Sequence, residues 1–209
     1  MLKFMFPQKP KIKGIIGYLG LESFWVSCTA EEQNALIKYY QGGLGASSDS
    51  SPIIGEITYS SNTKLKYFSS MIGWAVSDKN YILADKIITA GDELNIDDSE
   101  LIDAHFFWQT AADCYYKQRN VRPDAIDITI KFCKKDIAAF PKYIKQLEKE
   151  LGCIPYISTF QRLAIIYENN HQYQDAIQIC KLAIKYGLTD STKGGYSSRL
   201  EKLEKKMNK

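Results

Sequence analysis

The chain has 209 residues, 45% of them hydrophobic and 24% charged, and carries a net charge of +3. That length allows one large domain or two small ones with a true core. The balance excludes a disordered chain and leaves no strong electrostatic pull toward nucleic acid or a membrane.

The start, "MLKFMFPQKP", pairs Lys3 with a brief apolar patch that Pro7 cuts short. A secretory signal needs an apolar stretch of roughly 7–15 residues, and a membrane helix needs about 18 or more. Neither is present in the sequence, so the expected location is cytoplasmic. Residues 1–28 form a lead-in with Gly14, Gly17, Gly20 and the aromatic pair Phe24-Trp25. A helix is predicted from Thr29, because Thr29-Ala30-Glu31-Glu32 is a capping box. It carries Leu36, Ile37 and Tyr40 and stops at Gly42-Gly43.

Residues 42–52, "GGLGASSDSSP", lack the spacing of a phosphate-cradling loop and read as a flexible connector. "PIIGEITY" after it reads as a short strand or extended segment. From Ser60 onward the pattern is helical. Helices are predicted over residues 62–77, 80–94, 98–117, 123–139, 142–151, 156–170, 173–187 and 194–207, with breaks punctuated by Asp78, Asn80, Pro123, Pro141, Pro155 and Gly187. The domain organisation expected is an N-terminal segment over 1–60, with one helix and the Gly/Ser-rich loop, and a helical domain over 61–209.

The most regular stretch is "FQRLAIIYENNHQYQDAIQICKLAI", residues 160–184. Phe160, Leu163, Ala164 and Tyr167 share one helical face, followed by Ala176, Cys180 and Ala183. Small residues at 164, 176 and 183 let two antiparallel helices approach closely. This resembles the tetratricopeptide repeat (TPR) family, whose pattern runs large–x2–Leu–small–x2–Tyr–x8–Ala–x3–aromatic–x2–Ala. Trp108, Ala111, Ala112, Tyr115 and Ala125 match with one residue inserted, and Phe68, Met71, Ile72, Ala75, Ala84, Ile88 and Gly91 match more loosely. "PKYIKQLEKELG" reads as an extra helix wedged before the last repeat. The chain is also similar to a set of bacterial proteins that join an aromatic N-terminal segment and irregular TPR-like helices to a "KGGY…RLEKLEKK" ending; that likeness carries no activity. The resemblance implies a mostly α fold: an irregular TPR-like α-α superhelix, a right-handed stack of antiparallel helix pairs, with a C-terminal capping helix.

Little chemistry stands out. His105 opens a helix beside Phe106 and Phe107, and His171 lies in the turn "ENNHQY"; both read as helix-end or turn residues. Cys28, Cys114, Cys133, Cys153 and Cys180 are odd in number and never form C-x-x-C, so neither a disulfide framework nor a zinc site is suggested. Asp97, Asp98 and Glu100 suit a helix start. In "RLEKLEKKMNK", Leu200, Leu203 and Met207 make an apolar stripe expected to cap the stack. No enzyme activity, cofactor or metal is expected.

What the TPR resemblance implies instead is partner recognition on the first helix of each pair. The positions carried over are Lys66, Ser69, Gly73 and Val76; Phe106, Gln109, Asp113 and Tyr116; and Ser158, Gln161, Ile165 and Glu168. The lysines and asparagines that clamp a terminal carboxylate in some TPR domains are missing there, so an internal peptide segment or a folded protein is the expected partner. The reading is a non-catalytic adaptor or scaffold with no membrane or nucleic-acid partner. The alternative is a small bacterial or phage regulator or inhibitor of one enzyme or nucleic-acid machine, for example in phage–host conflict.

Overall fold

The computed structural model describes residues 12–41 and 50–208. It is mostly helical, and no strand occurs among the described residues. None of its helices is long and apolar enough to cross a membrane. Of the connector expected over 42–52, residues 42–49 lie outside the described part, as do residues 1–11. The chain forms two compact units that part between Asp92 and Glu93.

The first unit holds α1 (Gly14–Tyr18), α2 (Glu22–Ser27), α3 (Ala30–Gln41), α4 (Lys64–Ser77) and α5 (Tyr81–Asp92). Two helices precede the one expected there, because Ile15, Ile16, Phe24 and Trp25 each find a buried side. The Thr29 capping box forms: Glu32 N–H donates to Thr29 Oγ1 (3.2 Å) and Thr29 N–H to the Glu32 carboxylate (2.8 Å). Lys86 of α5 donates to that carboxylate and to the Ser27 carbonyl, each at 2.6 Å. In α3 the buried face is Leu36 and Tyr39, with Ile37 and Tyr40 at its margin.

Of the short strand or extended segment read in "PIIGEITY", the strand does not form; the segment opens with a turn at Pro52 and Ile53. The carbonyls of Pro52, Ile53 and Gly55 accept from Ile16, Lys13 and Gly14 N–H groups at 2.9–3.1 Å. The segment thus satisfies the free donors at the start of α1, and no strand among the described residues pairs with it. Gly14 is required there: its φ is +56°, and a Cβ would stand 2.5 Å from the Pro52 carbonyl oxygen. Phe24 meets Phe68 edge-on at 5.0 Å, which joins α2 to α4; Met71, Ile72, Leu83, Ile87 and Ile88 of the α4–α5 pair are buried.

The second unit begins with a single 3-10 turn, Asp98–Glu100, then α6 (Leu101–Lys117), α7 (Ala125–Leu151), α8 (Ser158–Asn169), α9 (Tyr173–Lys185) and α10 (Gly195–Met207). Each helix packs on the next, and α6 also touches α8. The break expected at Pro141 does not occur; α7 runs through it, and "PKYIKQLEKELG" is its second half. The proline leaves the Ile137 carbonyl without its helical donor. Packing outweighs that loss. Thr129, Phe132, Cys133, Asp136, Phe140, Tyr143, Ile144 and Leu147 make one unbroken buried stripe. Phe140, beside the proline, meets Phe160 at 5.2 Å and Tyr186 at 5.0 Å.

The seven positions of the regular stretch, Phe160 to Ala183, are all buried. Cys114, Cys133 and Cys180 are fully buried free thiols, and burial pushes Cys133 up to about 12 and Cys180 up to about 11. In α10 the buried residues are Tyr196 and Leu203; Met207, expected in the stripe, is 47% exposed. The stripe turns away from the unit before reaching it.

Candidate functional site

In α6, Leu101, Ala104, Trp108, Ala111, Ala112 and Tyr115 take the inner face. Helical spacing then leaves Phe106, Gln109, Asp113 and Tyr116 on the other side, and Phe106 is 42% exposed. The sequence expectation places partner contacts there, and α8 comes to meet it. Arg162 Nη2 donates to Asp113 Oδ1 at 2.9 Å, and the guanidinium carbon stands 5.3 Å from the Tyr116 ring. Arg119 covers the same ring at 4.4 Å and donates to the Tyr116 carbonyl. Lys117 pairs with the second Asp113 oxygen at 2.9 Å. Two cations thereby contact the Tyr116 ring, an attraction that helps hold it in place. Two polar atoms here lack a partner among the described residues: Gln109 Oε1 and Arg162 Nη1, both buried.

Arg162 was missed by the sequence reading. Its partner lies 49 positions away, and no local pattern marks an arginine between Gln161 and Leu163 as facing another helix.

The remaining positions range from buried to exposed. Gln161 is buried; its amide donates to Asp190 (2.8 Å) and Ser191 (3.0 Å) and accepts from Tyr156. Glu168 accepts from Arg199 at 2.9 Å and Lys206 at 2.7 Å, both from α10. Burial alone would raise the Glu168 carboxyl, but these two cations hold it below its ordinary range. Ser158 and Ile165 are half-buried on α8. Lys66, exposed, and Ser69, whose hydroxyl donates to the Leu65 carbonyl at 2.8 Å, lie in the first unit.

A second polar cluster sits in the core. His105 is the fifth residue of α6 and fully buried, not the helix opener expected. Its Nδ1 lies 2.8 Å from Asp136 Oδ1 and 3.0 Å from the Tyr143 hydroxyl. Tyr143 donates to Asp136 at 2.7 Å, and Thr159 donates to its other oxygen. Burial, then the Asp136 charge, holds the Tyr143 hydroxyl far above its ordinary range. One carboxylate thus ties α6, α7 and α8. All four side chains are closed to solvent, so the cluster presents nothing to a substrate. No group of three or more metal-ligating side chains gathers among the described residues.

No family model, curated protein or solved structure matches the chain.

Proposed function

We propose that the chain is a TPR-like, non-catalytic interaction module that holds a protein or peptide segment against the α6–α8 face. The observation that carries this is the exposed Phe106 on the same side of α6 as the clamped Tyr116. A large aromatic ring such as Phe106 buries much area at low entropic cost when a partner covers it. The repeat reading draws support from the turns. Asp78-Lys79-Asn80 and Asn170-His171-Gln172 share one hydrogen-bond pattern, down to the donors Asn80 to Ala75 (2.8 Å) and Gln172 to Tyr167 (2.9 Å). The buried His105–Asp136 cluster gives no opening for chemistry, which favours binding over catalysis.

The test is capture of partners by the purified full-length protein, with Phe106→Ala as control. Phe106 is partly exposed, so its loss should leave folding intact while a bound protein seen by mass spectrometry falls about tenfold or more. Equal capture by the variant overturns the α6–α8 face. A single stoichiometric enzyme among the captured proteins would favour the regulator reading over a scaffold.

A further inference from the structure

Two of the polar positions expected on α8, Gln161 and Glu168, are occupied by the chain's own next segment. Gln161 is bonded to Asp190 and Ser191 of the loop ahead of α10, and Glu168 to Arg199 and Lys206 of α10 itself. Arg199 also donates from Nε to Asp190 Oδ2 at 3.1 Å. The Asp190 side chain is wholly buried, so leaving it without Arg199 is costly. Loop and helix are therefore coupled: Arg199 cannot leave Asp190 and Glu168 in place.

The apolar hold is small by comparison. Of the thirteen residues of α10 only Tyr196 and Leu203 are buried, joined by Leu188 of the loop, whereas α8 alone buries Phe160, Leu163, Ala164, Ile166 and Tyr167. Elements with few buried apolar contacts open at lowest free energy. Left-handed glycines stand at both ends of the loop, Gly187 at φ +66° and Gly194 at φ +84°, where the backbone turns without strain.

We propose that α10 with the loop 188–194 is a latch: it opens as one unit while α6–α9 stay folded, and in opening frees Gln161 and Glu168 for a partner. The second half rests on the binding reading above; the opening itself does not. Hydrogen exchange followed by NMR on the full chain tests it. Amides of residues 198–207 should exchange at one common rate, about tenfold or more faster than those of α8 and α9. Arg199→Gln should speed α10 by about a further tenfold, the loss expected for a charge-assisted bond, and leave α8 and α9 unchanged.

Rates graded from Met207 inward would mean simple fraying and overturn the latch. So would α10 exchanging at the α8–α9 rate, or Arg199→Gln speeding all three helices alike. Should the variant prove too unstable, the wild-type rates alone decide. A partner that binds the α6–α8 face equally well in Arg199→Gln overturns the gating alone. Failure of any partner to depend on that face overturns the binding reading and leaves the exchange result standing.

Discussion

Lys79 and His171 adopt the same left-handed backbone, φ 58°, and each closes the turn between two packed helices. In both turns the middle residue donates three positions back, at 3.1 Å, to Val76 or Glu168. A side chain in this region costs about 1–2 kcal/mol that glycine avoids, though glycine gives up some of that gain in the unfolded chain. Lys79→Gly and His171→Gly should therefore each raise stability, by up to about 1 kcal/mol in thermal unfolding. Ser70→Gly, inside α4 on its exposed side, should lower it by about 0.5–1 kcal/mol. A loss of stability at both turn positions would contradict the conformation described.

The close pairing of α8 with α9 sets a second expectation. Ala164 and Ala176 are fully buried between them, so Ala164→Leu or Ala176→Leu should cost about 1–3 kcal/mol through forced separation. Leu163→Ala, which empties more volume, should cost about 2–5 kcal/mol and exceed Cys180→Ala. Urea denaturation ranks the four; leucine variants that unfold like the parent would mean the helices do not touch there.

Asp136 is the tie among three helices. Asp136→Ala leaves His105, Tyr143 and Thr159 buried without their acceptor, and should destabilise by about 3–5 kcal/mol. Tyr143→Phe removes one hydroxyl and should cost about 1–3 kcal/mol. An Asp136→Ala variant within about 1 kcal/mol of the parent would show that the carboxylate does not bind the helices together.

The α8–α10 network makes stability depend on pH with a definite sign. Burial opposes ionisation of Glu168 and Asp190, yet bonds from Lys206 and Arg199, and from Thr192 at Asp190, hold both carboxyls below their ordinary values. Folded groups shifted down contribute stability that is fully present above the unfolded value and is lost as pH falls through the folded one. Wild-type protein should therefore lose stability below about pH 4 more steeply than a Glu168→Gln, Asp190→Asn double variant, which starts lower and has less to lose. Parallel acid limbs in the two proteins would remove the network from the account.

A surface test needs care at Asp113. Replacing it with lysine sets a third cation beside Arg162 and Lys117, both now its partners, so Asp113→Lys should cost stability whatever the face binds. Asp113→Asn keeps the shape and should cost less than Asp113→Lys in urea denaturation, though more than an exposed pair would because the Arg162 side chain is mostly buried.

Apart from the short α1 and α2, helix positions were legible from the sequence because they depend on local terms: apolar spacing over a few turns, a capping box at Thr29, and turn residues at Asp78–Asn80 and Asn170–Gln172. Phe160, Leu163, Ala164 and Tyr167 declared a buried face before any fold was known, since a helix brings residues three and four apart together whatever surrounds it. Pro141 misled for the same reason. Its local cost is real, but Phe160 and Tyr186, distant in sequence, hold Phe140 in place and carry the helix through. The segment "PIIGEITY" had strand-like residues, yet only tertiary structure supplies or withholds a partner strand, and here the start of α1 claimed its carbonyls. Side-chain pairing was likewise beyond local pattern: Arg162 with Asp113, His105 with Asp136 and Arg199 with Glu168 join residues about thirty to fifty positions apart, and such pairs are decided by how helices pack, not by neighbours along the chain.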